Sequence, residues 1–119
     1  MCKGVDKIGD AIPDGHHLIP KYAGGKVKQD LMDLDPSTHR ALHNLLQMAF
    51  LANGFPFANK GRKAFEKFMT ANPGKGGLRN QVILNVAGYM DNMCTGVIGY
   101  DKIEPKVEEL LKIVDIFDF

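Results

Sequence analysis

Four histidines, placed as two pairs on either side of a helix start, constrain the fold of this chain more than any other feature. His16 and His17 are adjacent, whereas His39 and His43 are four residues apart. Between the pairs, an Asp-Pro dipeptide supplies a helix N-cap residue followed by proline at the first helical position. The second pair is therefore predicted to lie on one face of a helix, one turn apart.

The segment that carries the first pair is predicted to be a strand. Pro13 and Pro20 bracket its apolar cluster too closely for a helix. Residues 30–34 alternate polar and apolar side chains as a short return strand would, and the glycine-containing residues 23–29 connect the two segments. We therefore expect a β-hairpin with a long loop ahead of the helix.

Four helices are expected after the hairpin, because apolar residues recur at helical spacing between turn residues. The predicted helices cover residues 37–52, 61–71 and 78–94, with a last amphipathic helix opening at residues 104–105. Residues 82–84 alone would also suit a strand. The expected fold class is α+β and mostly helical, in a single domain over residues 1–119 that has a helical extension at 60–119.

Hydropathy and cysteine spacing exclude several classes of protein. No apolar stretch approaches the roughly 18 residues that a membrane-spanning helix needs, and the first six residues lack the apolar core of a signal peptide. The chain is therefore expected to carry no export signal of its own. Cys2 and Cys94 form neither a disulfide framework nor a zinc-ligand spacing, so we expect reduced thiols, with Cys94 as a small core residue.

The net charge of +1 hides one basic segment. Residues 60–79 carry six basic side chains against Glu66 alone. Such a segment is where a phosphate backbone would be bound, although a solvated helix face explains the same charges. The basic residues are Lys60, Arg62, Lys63, Lys67, Lys75 and Arg79.

The two histidine pairs suit a metal-dependent hydrolysis. Neighbours on a strand point to opposite faces, so one of His16 and His17 can bind an ion while the other serves a different task. His39 and His43 are spaced to hold one metal ion. A divalent ion polarises a phosphoryl oxygen and stabilises the leaving oxygen of a phosphodiester. A neutral imidazole with a pKa of about 6.5 removes a proton from the attacking water.

A sequence pattern runs through the histidines, with GHHLIPKY at residues 15–22, GG at 24–25, QDL at 29–31 and HRALH at 39–43. This pattern resembles the HNH/endonuclease VII superfamily, specifically toxin nucleases with a Gly-His-His signature, over about residues 12–50. The resemblance implies a ββα-metal finger at about 12–52 with additional helices. It also implies a metal-dependent endonuclease with DNA as the favoured substrate.

The resemblance assigns a role to each histidine. His16, His39 and His43 would be the metal ligands, as in colicin-type DNases, and His17 would be the general base. Asp30 lies nine residues before His39, where the family usually has an asparagine that holds the base-bearing loop. An aspartate there would orient His17 through a hydrogen bond and would also raise the pKa of that imidazole.

Two cations accompany the predicted site. Lys21 and Arg40 would clamp the scissile phosphate, with Arg40 in the catalytic set, although an ordinary solvated charge explains either residue. The expected cofactor is one divalent ion, Mg²⁺ or Mn²⁺ in activity and Zn²⁺ or Ni²⁺ when isolated. Toxin relatives imply delivery by a secretion system, action in the target-cell cytoplasm and a cognate immunity protein as partner.

Other functions fit parts of the same sequence. A housekeeping or phage HNH endonuclease would carry the same four histidines. A non-catalytic module, stabilised by zinc and binding nucleic acid or protein, would use them structurally, although closed zinc sites normally have four ligands. An inactive adaptor would bind a partner through the acidic last helix.

Overall fold

The computed structural model describes residues 2, 14–26, 29, 31–57 and 60–113. Within these residues the chain is α+β and mostly helical, with a two-stranded antiparallel sheet followed by four helices. The coarse fold class predicted from the sequence is therefore confirmed. The beginning of the predicted hairpin and Asp30 lie outside the described residues.

The hairpin consists of β1 (Asp14–His17) and β2 (Leu31–Leu34). His16 lies opposite Met32 in the antiparallel register, and His17 lies opposite Leu31. Burial alternates along β2, as expected for a strand with one face on the core. The predicted strand was centred on residues 16–19, whereas β1 ends at His17 because the chain turns immediately afterwards.

The first helix, α1 (Pro36–Ala52), begins and ends where the sequence predicts. The Asp35 carboxylate accepts hydrogen bonds from the backbone N–H of Ser37 at 3.0 Å and of Thr38 at 3.4 Å, which satisfies two N-terminal donors. Gly54, with φ of 81°, follows the helix at its C-terminal end. The buried face of α1 repeats every four residues and consists of Thr38, Leu42, Leu46 and Phe50.

Three further helices complete the fold: α2 (Gly61–Ala71), α3 (Gly76–Met93) and α4 (Glu104–Leu111). All three were predicted, and the alternative of a strand at residues 82–84 is wrong because those residues lie inside α3. An aromatic cluster joins α1 to α2, with ring centroids 5.2 Å apart for Phe50 and Phe65. Phe55 stacks on Phe65 at 5.5 Å.

A buried carboxylate joins α3 to α4. Asp91 is 8% exposed and accepts hydrogen bonds from the Tyr100 hydroxyl at 2.6 Å and from the backbone N–H of Glu104 at 2.8 Å. It also accepts from the backbone N–H of Ile103 at 2.9 Å. Asp91 therefore satisfies donors at the start of α4 as a capping residue would, although it is distant in sequence.

The expectation of two reduced cysteines is wrong in this structure. Cys2 and Cys94 form a disulfide with a Cα–Cα distance of 5.4 Å. Sequence spacing did not reveal the pair because 92 residues separate the two cysteines, and only the fold brings them together. Cys94 is nevertheless buried, as expected of a core residue. Disulfides of this kind persist in oxidising compartments.

No helix in the described part of the chain is both long enough and apolar enough to cross a lipid bilayer, in agreement with the sequence-based expectation.

Candidate functional site

Three imidazoles from two elements converge beneath the hairpin. His16 of β1 lies edge-on to His39 and His43 of α1, with ring centroids 5.1 Å and 5.3 Å away. The Nε2 atoms of His39 and His43 are 2.9 Å apart. One ring nitrogen from each of the three residues lies within 4.8 Å of the others. The sequence thus predicted correctly that β1 and α1 bring these histidines together.

Local structure explains how the residues reach this point. His16 and His17 alternate across β1, so that His16 is 1% exposed while His17 is only partly buried. On α1, His39 and His43 directly follow the buried residues Thr38 and Leu42. The two histidines therefore lie on the same side of the helix, next to its buried face.

Burial lowers the pKa of two of the three imidazoles, His16 and His43. Desolvation, with repulsion from the neighbouring histidines, lowers the pKa of His16 from 6.5 to about 3. The same causes lower the pKa of His43 to about 4. Both imidazoles are therefore neutral at pH 7, which is the form that binds metal ions.

Two observations fit a metal ion at the cluster. The Nδ1 atom of His16 is buried and has no hydrogen-bond partner among the described residues, although buried polar atoms normally have one. The Nε2 atoms of His39 and His43 lie at the hydrogen-bond distance of 2.9 Å, so that a small separation, to the about 3.4 Å of two tetrahedral ligands at about 2.1 Å, would let both bind one ion. The three histidines therefore suit an open site with three protein ligands.

A pocket of about 430 Å³ opens beside the cluster. His17 forms part of the wall of this pocket. As its neighbour on the same strand, His16 projects from the opposite face of the strand. Tyr22 also lines the pocket, and burial raises the pKa of its hydroxyl, which has no partner among the described residues. The lining consists of Gly15, His17, Pro20, Lys21, Tyr22, His39, His43 and Arg62.

Comparisons with family models, with curated proteins and with solved structures gave no significant match.

The loop after β1 is held by Gln29, which belongs to the sequence pattern but for which no role was predicted. Its Oε1 accepts from the backbone N–H of Ile19 at 3.0 Å, and its Nε2 donates to the Ile19 carbonyl at 2.8 Å and to that of Lys26 at 2.7 Å. A Cβ at Gly25 would collide with the Ile19 carbonyl oxygen. Asp30, for which a loop-holding role was predicted, lies outside the described residues. The sequence signal for the role of Gln29 was an amide side chain, which can both donate and accept hydrogen bonds, in a glycine-containing loop.

The predicted basic residues do not all share one surface. Lys21 and Arg62 line the pocket. Lys60, Lys63 and Lys67 are exposed at the start and along one face of α2.

Two predicted cations lie elsewhere. Arg79 is only 9% exposed, and desolvation lowers the pKa of its guanidinium to about 10. Arg79 therefore does not share the exposed surface of the α2 lysines, since α3 turns this position toward the core. Arg40 is exposed on α1, outside the residues that line the pocket.

Proposed function

We propose that the chain is a metal-dependent endonuclease of the ββα-metal type that hydrolyses phosphodiester bonds, with DNA as the favoured substrate. The observation that carries the proposal is the convergence of His16, His39 and His43 beside a pocket that His17 also lines. Two strands followed by a helix, with ligands on the first strand and on the helix, support the finer fold assignment.

The three converging histidines would hold one divalent ion, and His17 would act on water. When bound, such an ion supplies Lewis-acid stabilisation of the phosphoryl and leaving oxygens. His17 lines the pocket without belonging to the cluster of three, so it would serve as the base that takes the proton from the attacking water. The side chain of Lys21 supplies positive charge near the scissile phosphate.

A structural zinc site is the main alternative, and two observations count against it. Closed zinc sites normally use four protein ligands, often including thiolates, whereas the described cluster offers three histidines. Both cysteines of the chain are joined in the disulfide. An ion held by three ligands beside an open pocket has a coordination position left for water or substrate, as catalysis requires.

The proposal is tested by nicking of supercoiled plasmid with Mg²⁺, Mn²⁺, Zn²⁺ or Ni²⁺ added to metal-free protein. We expect cleavage with at least one ion, and a loss of about 10²- to 10⁴-fold in rate for His17→Ala. Metal affinity of this variant should stay close to that of the wild type, because the base does not coordinate the ion.

Asn44→Ala is the matched control, since Asn44 is exposed on α1 directly after His43. It should cleave at the wild-type rate. Metal binding by the wild type without any cleavage of DNA or RNA would favour the structural site instead. If His17→Ala loses its metal affinity, the assigned roles of His16 and His17 must be exchanged.

The same proposal includes delivery by a secretion system, action in a target cell and an immunity partner. These three points follow from the toxin resemblance alone. A housekeeping or phage enzyme would carry the same site. Co-expression with the product of a neighbouring reading frame, scored by rescue of host growth, separates these alternatives.

A further inference from the structure

Arg62 crosses from α2 to the turn that forms one wall of the pocket. Its Nη1 donates to the carbonyl oxygen of Lys21 at 2.6 Å and to that of Gly25 at 3.0 Å. These contacts join residues 41 and 37 positions apart in sequence. They come from the first turn of α2, so they fix that helix against the loop that follows β1.

The turn at residues 20–25 is otherwise a compact local structure. The Pro20 carbonyl accepts from the backbone N–H of Ala23 at 3.1 Å and of Gly25 at 2.9 Å, and the Lys21 carbonyl accepts from that of Gly24 at 3.1 Å. Gly24 has φ of 101°, a conformation that favours glycine. The turn also packs against the helices, because Ala23 is fully buried and the Tyr22 ring lies 6.3 Å from the rings of Phe50 on α1 and Phe65 on α2.

Two side chains add hydrogen bonds near the two ends of the turn, beside this packing. Gln29 holds Ile19, just before the turn, and Arg62 holds the carbonyls at residues 21 and 25. The same turn carries Lys21 and Tyr22 into the pocket that His17, His39 and His43 line. A shift of the turn would therefore move one wall of the pocket relative to the histidines on the other.

We propose that Arg62 is a positioning residue, which holds the 20–25 turn so that Lys21 meets the phosphate in register with His17 and the three converging histidines. The inference rests on the proposed nuclease activity. A guanidinium suits this task because its planar, fixed donors bind two acceptors with little loss of side-chain freedom, whereas an ammonium is a flexible point charge. Misplacing a substrate-positioning group by about 1 Å can cost on the order of 10²-fold in rate.

The competing explanation is that Arg62 is one more cation of the basic helix. In that case its removal would weaken substrate binding and leave turnover unchanged, as for any side chain that only neutralises a phosphate. Lys63, the next residue, is exposed and carries the same charge, so it provides a matched control.

The test compares Arg62→Met, Arg62→Lys and Lys63→Met in plasmid cleavage at saturating substrate. We expect Arg62→Met to lower kcat by about 10- to 100-fold, with KM within about twofold of that of Lys63→Met. Arg62→Lys should have an intermediate kcat, because an ammonium keeps the charge and one hydrogen bond. The affinity for Mn²⁺ by calorimetry should be equal in the wild type and all three variants.

An equal kcat for Arg62→Met and Lys63→Met overturns the proposal. If Arg62→Met fails to fold, Arg62→Lys decides the question, and a wild-type kcat for that variant overturns the proposal equally.

Hydrogen exchange of the Gly24 and Gly25 amides separates this inference from the proposed function. Both amides should exchange faster in Arg62→Met than in Lys63→Met, since the variant lacks the hydrogen bonds that hold the turn. Exchange that is unchanged overturns the positioning role whatever the activity. A wild type that cleaves no nucleic acid with any ion contradicts the nuclease proposal, and faster exchange would still be measured in that case.

Discussion

The junction of β1 with α1 and the junction of α3 with α4 each bury a polar side chain, and they treat it in opposite ways. The Asp91 carboxylate, at the α3–α4 junction, accepts from one hydroxyl and two backbone N–H groups. His16, at the β1–α1 junction, is more deeply buried, and its Nδ1 has no partner among the described residues.

We infer from this difference that Asp91 stabilises the fold and that His16 belongs to the proposed site. A buried carboxylate with three donors stabilises the fold, because each donor would otherwise lose its water without compensation. A buried imidazole nitrogen without a partner costs free energy, and two other imidazoles converge on the same place. We infer that stability is given up at the β1–α1 junction to keep the three rings ready for an ion.

The largest expected effect is a difference in stability between substitutions of Asp91 and of His16. Asp91→Ala should lower the free energy of unfolding by about 3 kcal/mol, since it leaves buried donors at Ile103 and Tyr100 unpaired. His16→Leu should change it by less than about 1 kcal/mol in metal-free protein, because an apolar side chain replaces an unsatisfied polar one. Urea unfolding followed by circular dichroism measures both.

Metal affinity should be affected in the opposite way by the same two substitutions. Asp91→Ala, if folded, should bind Mn²⁺ as the wild type does, whereas His16→Leu should lose most of its affinity. If His16→Leu were as destabilising as Asp91→Ala, His16 would be a structural residue and the comparison would fail.

Acid should weaken the fold through the histidine cluster. The pKa of His16 is lowered by burial to about 3 in the folded state, against about 6.5 when unfolded. Between these values the unfolded chain binds more protons, so stability is full above about pH 6.5 and is lost as pH falls. From pH 7 to pH 5 the loss should reach about 2 kcal/mol from His16 alone.

Urea midpoints of the metal-free protein at pH 7 and pH 5 check this expectation, and His16→Leu is the control. The control should lose less stability over the same range, since the buried group no longer titrates. Added Mn²⁺ should also raise the wild-type midpoint at pH 7, by linkage. Equal pH dependence in both proteins would mean that His16 is not the cause.

The smallest expected effect concerns the exposed lysines of the α2 region. If Lys60, Lys63 and Lys67 bind the substrate backbone, replacing all three should weaken binding to every DNA sequence alike. The slope of log affinity against log salt should become shallower by about 0.9 for each phosphate that is no longer neutralised. Fluorescence anisotropy over a salt series measures the slope. An unchanged slope would identify a solvated helix face and would move the substrate track to Lys21, Lys26 and Arg40.

Local signals explain what the sequence predicted well. The N-cap at Asp35 and the residues Asn53-Gly54 define α1 because capping depends on nearby backbone groups. His39 and His43 share a face because helical spacing requires it. The position of His16 beside them followed from strand alternation and from the resemblance together.

Interactions between distant residues explain what the sequence did not reveal. The hydrogen bonds of Arg62 span 41 and 37 residues, and the disulfide spans 92. The burial of Arg79 depends on how α3 packs, which basic composition does not encode. In the loop, the hydrogen bonds between Gln29 and Ile19 join residues ten positions apart, and no local signal in the sequence identifies Ile19 as the partner.

The central claim, that three histidines bind one ion while His17 does not, is tested most directly by calorimetric titration of metal-free protein with Mn²⁺ or Zn²⁺. The wild type should bind one ion per chain. His39→Ala and His43→Ala should each weaken binding by at least about tenfold, because removal of even an outer-shell partner has effects of that size. His17→Ala should match the wild type within about twofold. Unchanged titrations in both helix variants, or an absence of binding in His17→Ala alone, would contradict the account.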